Sequence, residues 1–248
     1  MKRVFILILA LMIVLTLAAC GGGTTTDSTN PPAVAQNTDT PKTVAPKTEA
    51  PKEEKSVLPI DIKEFGYSMN GEYLYYSIHL YNPNDSYIVK LPSFRITARD
   101  ASGVPLGTEE QTLMEIYPLH DSWHAFMGFS VEEEPATVDV EVLPAKDYNI
   151  KKVSTAEHKE FEPLEVINTA IRDGSIGKKL VGEVKNNNDY EIKRAVVTIV
   201  FRDENGALIG GDSGFVENIP AGGTAAFEKS LYIKFMTDNY EIYADNWS

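Results

Sequence analysis

Two stretches of this chain repeat each other, and that repeat limits the fold more than any other feature. Leu80-Tyr81-Asn82-Pro83-Asn84-Asp85 lies over Val184-Lys185-Asn186-Asn187-Asn188-Asp189. Phe94-Arg95-Ile96-Thr97-Ala98-Arg99-Asp100-Ala101-Ser102-Gly103 lies over Val197-Thr198-Ile199-Val200-Phe201-Arg202-Asp203-Glu204-Asn205-Gly206, after which Gly107 matches Gly210 and Pro118 matches Pro220. A repeat of this kind predicts two copies of one structural unit. The texture of each copy is β: short alternating runs separated by Asn, Asp, Gly and Pro. In residues 72–82, Leu74, Tyr76, Ile78 and Leu80 fall on one face and Tyr73, Tyr75, Ser77, His79 and Tyr81 on the other, so the first set is the expected core face. Arg-Asp-x-x-Gly occurs in both copies between strand-like runs, with Asp at the turn start and Gly where a positive φ is needed. The Asn-rich stretches at Asn82–Asp85 and Asn186–Asp189 suit turns. A sheet of this size must bury one face, and a two-layer antiparallel sandwich does so.

Residues 1–58 are of another kind. Met1-Lys2-Arg3 precedes an apolar run from Val4 to Ala19, which at 16 residues is shorter than the roughly 18–20 that a membrane-spanning helix needs. A basic start, a short apolar stretch and small residues at its end are the parts of an export signal. Leu17-Ala18-Ala19-Cys20 resembles the lipobox of bacterial lipoproteins, which implies cleavage before Cys20 and a lipid on its sulfur. Cys20 is the only cysteine in 248 residues, so an intrachain disulfide is excluded. Residues 20–58, rich in Thr, Pro and Lys, hold too little apolar surface to fold and read as a disordered tether. Fully stretched, its proline-spaced chain would reach on the order of 100 Å.

The second copy carries a further resemblance. Gly182-Glu183-Val184-Lys185-Asn186, then Val196–Gly206, then Ile219-Pro220-Ala221-Gly222-Gly223-Thr224-Ala225-Ala226-Phe227 resemble the FxLYD-type domains of bacterial surface lipoproteins. The match covers residues 180–227 and is weaker in the first copy. Ile199, Phe201 and Arg202 stand where the family has Phe, Leu and Tyr, and Asp203 agrees. The resemblance implies an all-β fold: two immunoglobulin-like antiparallel β-sandwich domains in tandem after a disordered tether. The expected division is 1–19 signal, 20–58 lipidated cysteine and tether, 59–145 first domain, 146–160 linker and 161–248 second domain. Within the linker, Ser154-Thr155-Ala156-Glu157 has capping-box form and predicts one helical turn. The resemblance implies a fold and a location; it brings no catalytic residue.

Few residue groups carry chemistry. Gly211-Asp212-Ser213-Gly214 looks like the surroundings of a serine-protease nucleophile, but a triad also needs a histidine base, and the second copy has no histidine. His120, Asp121 and His124 are the one local group with metal-ligand residue types, and a four-coordinate site would need another contributor. Of the formal charge of −13, the signal contributes two positive charges and the tether one net negative charge, which leaves −14 on residues 56–248. That sign opposes nucleic-acid binding. Glu132-Glu133-Glu134 lacks the spacing of a calcium loop and reads as a solvated acidic surface. Tyr73, Tyr75, His79 and Tyr81, on the face opposite the expected core, are the candidate binding surface; the competing readings are cover by the linker or the other domain, or cross-strand pairing.

These features together predict a non-enzymatic lipoprotein outside the cytoplasm. The lipid on Cys20 would hold it to a bacterial membrane, on the outer face of the cell membrane in a Gram-positive host. It would take a protein or glycan partner in the envelope and no nucleic acid, and no cofactor is implied. The alternatives are an accessory subunit of an envelope transporter or assembly, and a metal-dependent enzyme.

Overall fold

A computed structural model describes residues 56–153 and 161–247 of the chain. The expected signal, Cys20, most of the expected tether and the expected helical turn at 154–157 lie outside the described residues. The first copy contains β1 (Asp61–Asn70), β2 (Tyr73–Tyr81), β3 (Tyr87–Lys90), β4 (Ser93–Arg99), β5 (Pro105–Thr112), β6 (Glu115–Ile116), β7 (Asp121–Ser130), β8 (Thr137–Val142) and β9 (Ile150–Lys152). The second contains β10 (Glu165–Asp173), β11 (Lys178–Lys185), β12 (Ile192–Arg202), β13 (Leu208–Ile219), β14 (Thr224–Leu231) and β15 (Tyr240–Asn246).

Both copies are antiparallel sandwiches with the same wiring. In the first, the sheet β1-β2-β7 faces the sheet β5-β4-β8; in the second, β10-β11-β14 faces β13-β12-β15. The first core joins Leu74, Tyr76, Ile78 and Leu80 of β2 to Phe94, Ile96 and Ala98 of β4, as the alternation predicts. The second joins Leu180 and Val184 of β11 to Val197, Ile199 and Phe201 of β12 and to Phe227 of β14. The two Arg-Asp-x-x-Gly turns are superimposable in their bonding. Asp100 Oδ1 accepts from the backbone N–H of Ser102 and Val104, and Asp203 Oδ1 from those of Asn205 and Ala207. Gly103 and Gly206 take φ of 82° and 84°, the left-handed conformation that side chains resist.

The first sandwich extends further than the expected boundary at residue 145. A 3-10 turn at Asp147–Asn149 leads into β9, which pairs with β3 (Tyr87 opposite Lys152), and β3 also pairs with β6. Val153 is buried and its N–H donates to Ser86 O. Residues 150–152 of the expected linker are therefore an edge strand of the first copy.

The Asn-rich stretches are not simple surface turns. Asn82 and Asn84, and equally Asn186 and Asn188, are buried. Asn82 Nδ2 donates to Tyr87 O and Ile116 O, and Asn186 Nδ2 to Tyr190 O, Ile219 O and Pro220 O. The Oδ1 of each then accepts from the next Asn but one, from both its backbone N–H and its side chain. That second Asn exchanges a pair of bonds with the incoming backbone, Asn84 with Leu58 and Asn188 with Glu162. Each Asn-x-Asn thus clips three chain segments together at one end of its sandwich.

The two sandwiches also pack on each other. All described residues belong to one compact unit. The sheet β1-β2-β7 turns its second face to the sheet β13-β12-β15, so four sheets stack with the copies meeting in the middle. Residues 195–201 of β12 are all buried, because one face lies in its own core and the other at this seam. At the seam, Thr198 Oγ1 donates to Trp123 O at 3.0 Å and Ser213 Oγ donates to Ala125 O at 2.8 Å. Glycines permit the approach: a Cβ on Gly66 would lie 1.8 Å from Leu208 O, and one on Gly211 would lie 2.6 Å from Ser77 Oγ.

Replacing Asn186 by Ala leaves several buried backbone groups without a partner, each worth about 1–3 kcal/mol. Urea unfolding of Asn186→Ala is expected to show a loss of about 3 kcal/mol or more, whereas the neighbouring exposed Asn187→Ala changes stability by about 0.5 kcal/mol or less. Equal effects of the two would remove the clip.

Candidate functional site

Strand alternation decides where the sequence-derived candidates go. Tyr75, His79 and Tyr81 share the face of β2 that meets the second copy, and the stripe is not an open surface. Tyr75 is 8% exposed and packs edge-on against Phe235, with ring centroids 5.8 Å apart. His79 is half-buried and stacks on Trp123 at 4.0 Å. Tyr81 lies under the Lys63 ammonium, 4.7 Å from its ring centroid. Only Tyr73, at the strand start, is exposed. Tyr75 is covered by the second copy, His79 by stacking on its cross-strand partner Trp123 and Tyr81 by Lys63 of its own copy, so cover by the other domain and cross-strand pairing each account for part of the stripe.

His120, Asp121 and His124 are not brought together. Their four-residue spacing would align them on a helix, but on β7 successive side chains alternate. Asp121 and Trp123 point to the seam, opposite Tyr81 and His79 of β2, whereas Ser122 and His124 point to the first core, opposite Leu80 and Ile78. His124 is buried beside Ser122 Oγ, 2.7 Å from its Nε2, and burial pushes its pKa down to about 3. His120 lies before the strand and donates from Nδ1 to Pro118 O at 2.8 Å. Among the described residues, no three His, Cys, Asp or Glu side chains converge to hold a metal ion.

The Gly-Asp-Ser-Gly stretch belongs to β13. Ser213 spends its hydroxyl on Ala125 O, and Asp212 faces away from it to meet Lys229 Nζ at 3.0 Å. Burial raises the Asp212 pKa, against the pull of Lys229. Gly211 meets the first copy at the seam and Gly214 packs under Lys229 of its own copy, so the segment serves packing.

The chemistry collects at one side of the seam. Trp123 lies between two rings, His79 at 4.0 Å and Tyr243 at 4.4 Å, both nearly parallel to it. Arg202 of the second copy makes a two-pronged pair with Glu64 of the first, at 2.6 and 2.8 Å, and reaches Glu241 at 3.2 Å. Its guanidinium lies 5.9 Å from the centre of the Trp123 ring. The hydrogen bond with Glu64 raises the Arg202 pKa and lowers that of Glu64. Tyr243 donates to Glu241 Oε2 at 2.6 Å, and burial raises the pKa of its phenol. Trp123 N–H donates to Asp245 Oδ2 at 3.0 Å, so a C-terminal side chain closes on the backbone of β7.

Beside this stack lies a cleft of about 600 Å³. His79, Asp121 and Trp123 of the first copy, with Tyr243 and Asp245 of the second, form much of its wall. Phe161 completes it and is itself fixed by parallel stacking on Tyr117 at 4.4 Å. His79 Nε2 donates to Asp121 Oδ1 at 2.7 Å. Enclosure by protein raises the Asp245 pKa to about 7, and the nearby Asp121 charge adds to the effect. Among the described residues, the lining contains two carboxylates, two imidazoles and several apolar and aromatic side chains, but no Lys or Arg and no Ser, Thr or Cys. Compared with protein-family models and with curated protein sequences, the chain matches none.

The sequence drew attention to His79, Asp121 and His120 but missed Asp245, Tyr243 and Phe161. The last three come from segments outside the internal match, and only the tertiary pairing of β15 with β12 brings two of them to β7.

Asp245 gives a pH test. Its pKa is raised from 3.8 to about 7 on folding, so the folded state holds the extra proton between these values and stability falls as pH rises through that window. Each pH unit of the window is worth up to about 1.4 kcal/mol. Asp245→Asn, which keeps an acceptor for Trp123 N–H, is expected to match wild type near pH 4 and to unfold at higher urea than wild type at pH 8. Parallel stability–pH curves for the two proteins would show that Asp245 titrates normally.

Proposed function

We propose that this chain is a membrane-anchored extracytoplasmic lipoprotein, lipidated on Cys20, whose paired β-sandwiches bind rather than catalyse. The observation that carries the binding reading is the seam cleft: it draws residues from both copies, is walled by rings and apolar side chains, and among the described residues its lining has no hydroxyl or thiol nucleophile apart from the Tyr243 phenol. That phenol is engaged with Glu241 and its pKa is raised, which disfavours the phenolate a nucleophile would need. The anchor rests on the Leu17-Ala18-Ala19-Cys20 motif, and the resemblance of the second copy to FxLYD-type domains of surface lipoproteins supports the same location. Immunoglobulin-like domains on a tether would present the cleft away from the membrane, to a ligand in the envelope.

Two substitutions test the two halves of this reading. Cys20→Ala in the native host is expected to lose incorporation of labelled palmitate and to leave the membrane fraction. A variant that keeps both label and membrane association removes the anchor. Leu119→Trp adds bulk at an exposed position of the cleft lining. In a calorimetric unfolding screen of small polar and amphipathic compounds, those that raise the midpoint of the wild type are expected to lose their effect on Leu119→Trp. A library that stabilises neither protein, or both equally, argues against the cleft as the binding site.

A further inference from the structure

We infer that the seam cleft takes a protonated organic amine carrying an apolar or aromatic body; the inference rests on the reading of the cleft as a binding site. Charge is the first argument. Asp121 and Asp245 both line the cleft, no Lys or Arg does among the described residues, and the two carboxylates lie near enough for the charge of Asp121 to act on Asp245. Asp121 has His79 as its partner, through a single bond from Nε2. Asp245 accepts from a neutral donor, the backbone N–H of Trp123. A carboxylate enclosed by protein without a cation is costly, and a ligand cation placed beside it offsets that cost. An anion would meet two carboxylates and, among the described residues, no Lys or Arg.

The walls supply the second argument. Phe161, Pro163, Leu164 and Val166 give the cleft an apolar surface. Rings of Phe161 and Tyr243 accept a cation at their faces and an apolar body at their edges. A volume of about 600 Å³ lies in the ordinary range for a small-molecule site. A bare divalent ion fits less well, because the donors do not converge as ligands. The cleft therefore matches a monocation that carries a hydrocarbon body.

Isothermal titration of the full chain in detergent tests this with three compounds of similar shape: 2-phenylethylamine, the neutral 2-phenylethanol and the anionic 3-phenylpropionate. The amine is expected to bind at least tenfold more tightly than either of the others. Asp245→Asn and Asp121→Asn are each expected to weaken the amine at least tenfold, and Glu132→Gln, on an exposed loop, to leave it unchanged. Both tryptophans of the chain, Trp123 and Trp247, contact residues of the other copy, so an unaltered emission spectrum shows that each variant keeps its seam. Comparable binding of all three compounds overturns the inference and leaves the binding reading standing. Absence of amine binding also overturns it. The binding reading fails separately, when no compound of the unfolding screen distinguishes wild type from Leu119→Trp.

Discussion

Strand β12 is buried on both faces, and much of the rest of the molecule accommodates that fact. A strand in one sandwich buries a single face and leaves the other to water. Here the second face needs cover, and the first copy provides it with β2 and β7. Bringing two sheets together in this way removes water from backbone and side-chain polar groups on both. The hydroxyls of Thr198 and Ser213 answer this by donating to carbonyls of β7, since an unpaired buried donor would cost more than the bond gains. Gly66 and Gly211 remove side chains where the backbones meet. The half-buried pair of Arg202 and Glu64 ties the rim. Losing either partner would strand the other charge in a partly dry place, so this pair fixes orientation more than it adds net stability.

A seam formed from different faces of two similar domains could in principle repeat without end. The side chains prevent it. Thr198 and Val200 of β12 correspond to Arg95 and Thr97 of β4, and Arg95 is occupied with Glu110 and Glu141 on an open face. On the other side, Tyr75, Ser77 and His79 of β2 correspond to Lys179, Val181 and Glu183 of β11, where Lys179 pairs with Glu228. Each copy therefore keeps one adhesive face and one charged face, and the adhesive faces differ in kind. Divergence at these few positions turned a tandem repeat into a closed stack of four sheets. Arg99 and Arg202 show the same divergence at one position. Both cap the Gly carbonyl of their turn, but only Arg202 reaches into the neighbouring copy.

The repeat, the alternation of β2 and the Arg-Asp-x-x-Gly turns were legible in the sequence because they depend on local geometry with a period of two. The seam was not, because alternation says which side a residue takes and nothing about what covers it. Tyr75 and His79 therefore read as an open face although the second copy lies on Tyr75 and Trp123 on His79. One trace did exist: Ala195–Phe201 is an unbroken run of small, branched and aromatic residues, the pattern of a strand covered on both sides. His120, Asp121 and His124 misled for the opposite reason, since their spacing has meaning on a helix and not on β7. The Asn-x-Asn clips were hidden within ordinary turn composition, because burial of an Asn amide follows from three segments meeting at one place. Trp123 and Asp245 are 122 residues apart, and no local pattern joins them.

A cleft built across a seam inherits the rigidity of that seam. Its two carboxylates belong to different copies, Asp121 to β7 and Asp245 to β15, and their separation is set by how the sheets are seated. The stack of His79, Trp123 and Tyr243 is what seats them. His79 and Trp123 come from the first copy and Tyr243 from the second, and the ends of the stack are held by Asp121 on one side and Glu241 on the other. Glu241 in turn meets Arg202, and Arg202 meets Glu64. One run of contacts thus passes from the edge of the cleft to the far strand β1 of the first sandwich. A tight fit between sheets leaves few arrangements open, so the cleft is shaped before a ligand arrives and little ordering is left for binding to supply. Two sandwiches joined by a flexible linker alone would have to assemble these walls anew at each encounter. Placing the polar residues at the seam, instead of on loops at the ends of one sandwich, ties recognition to the same packing that makes the two copies a single body.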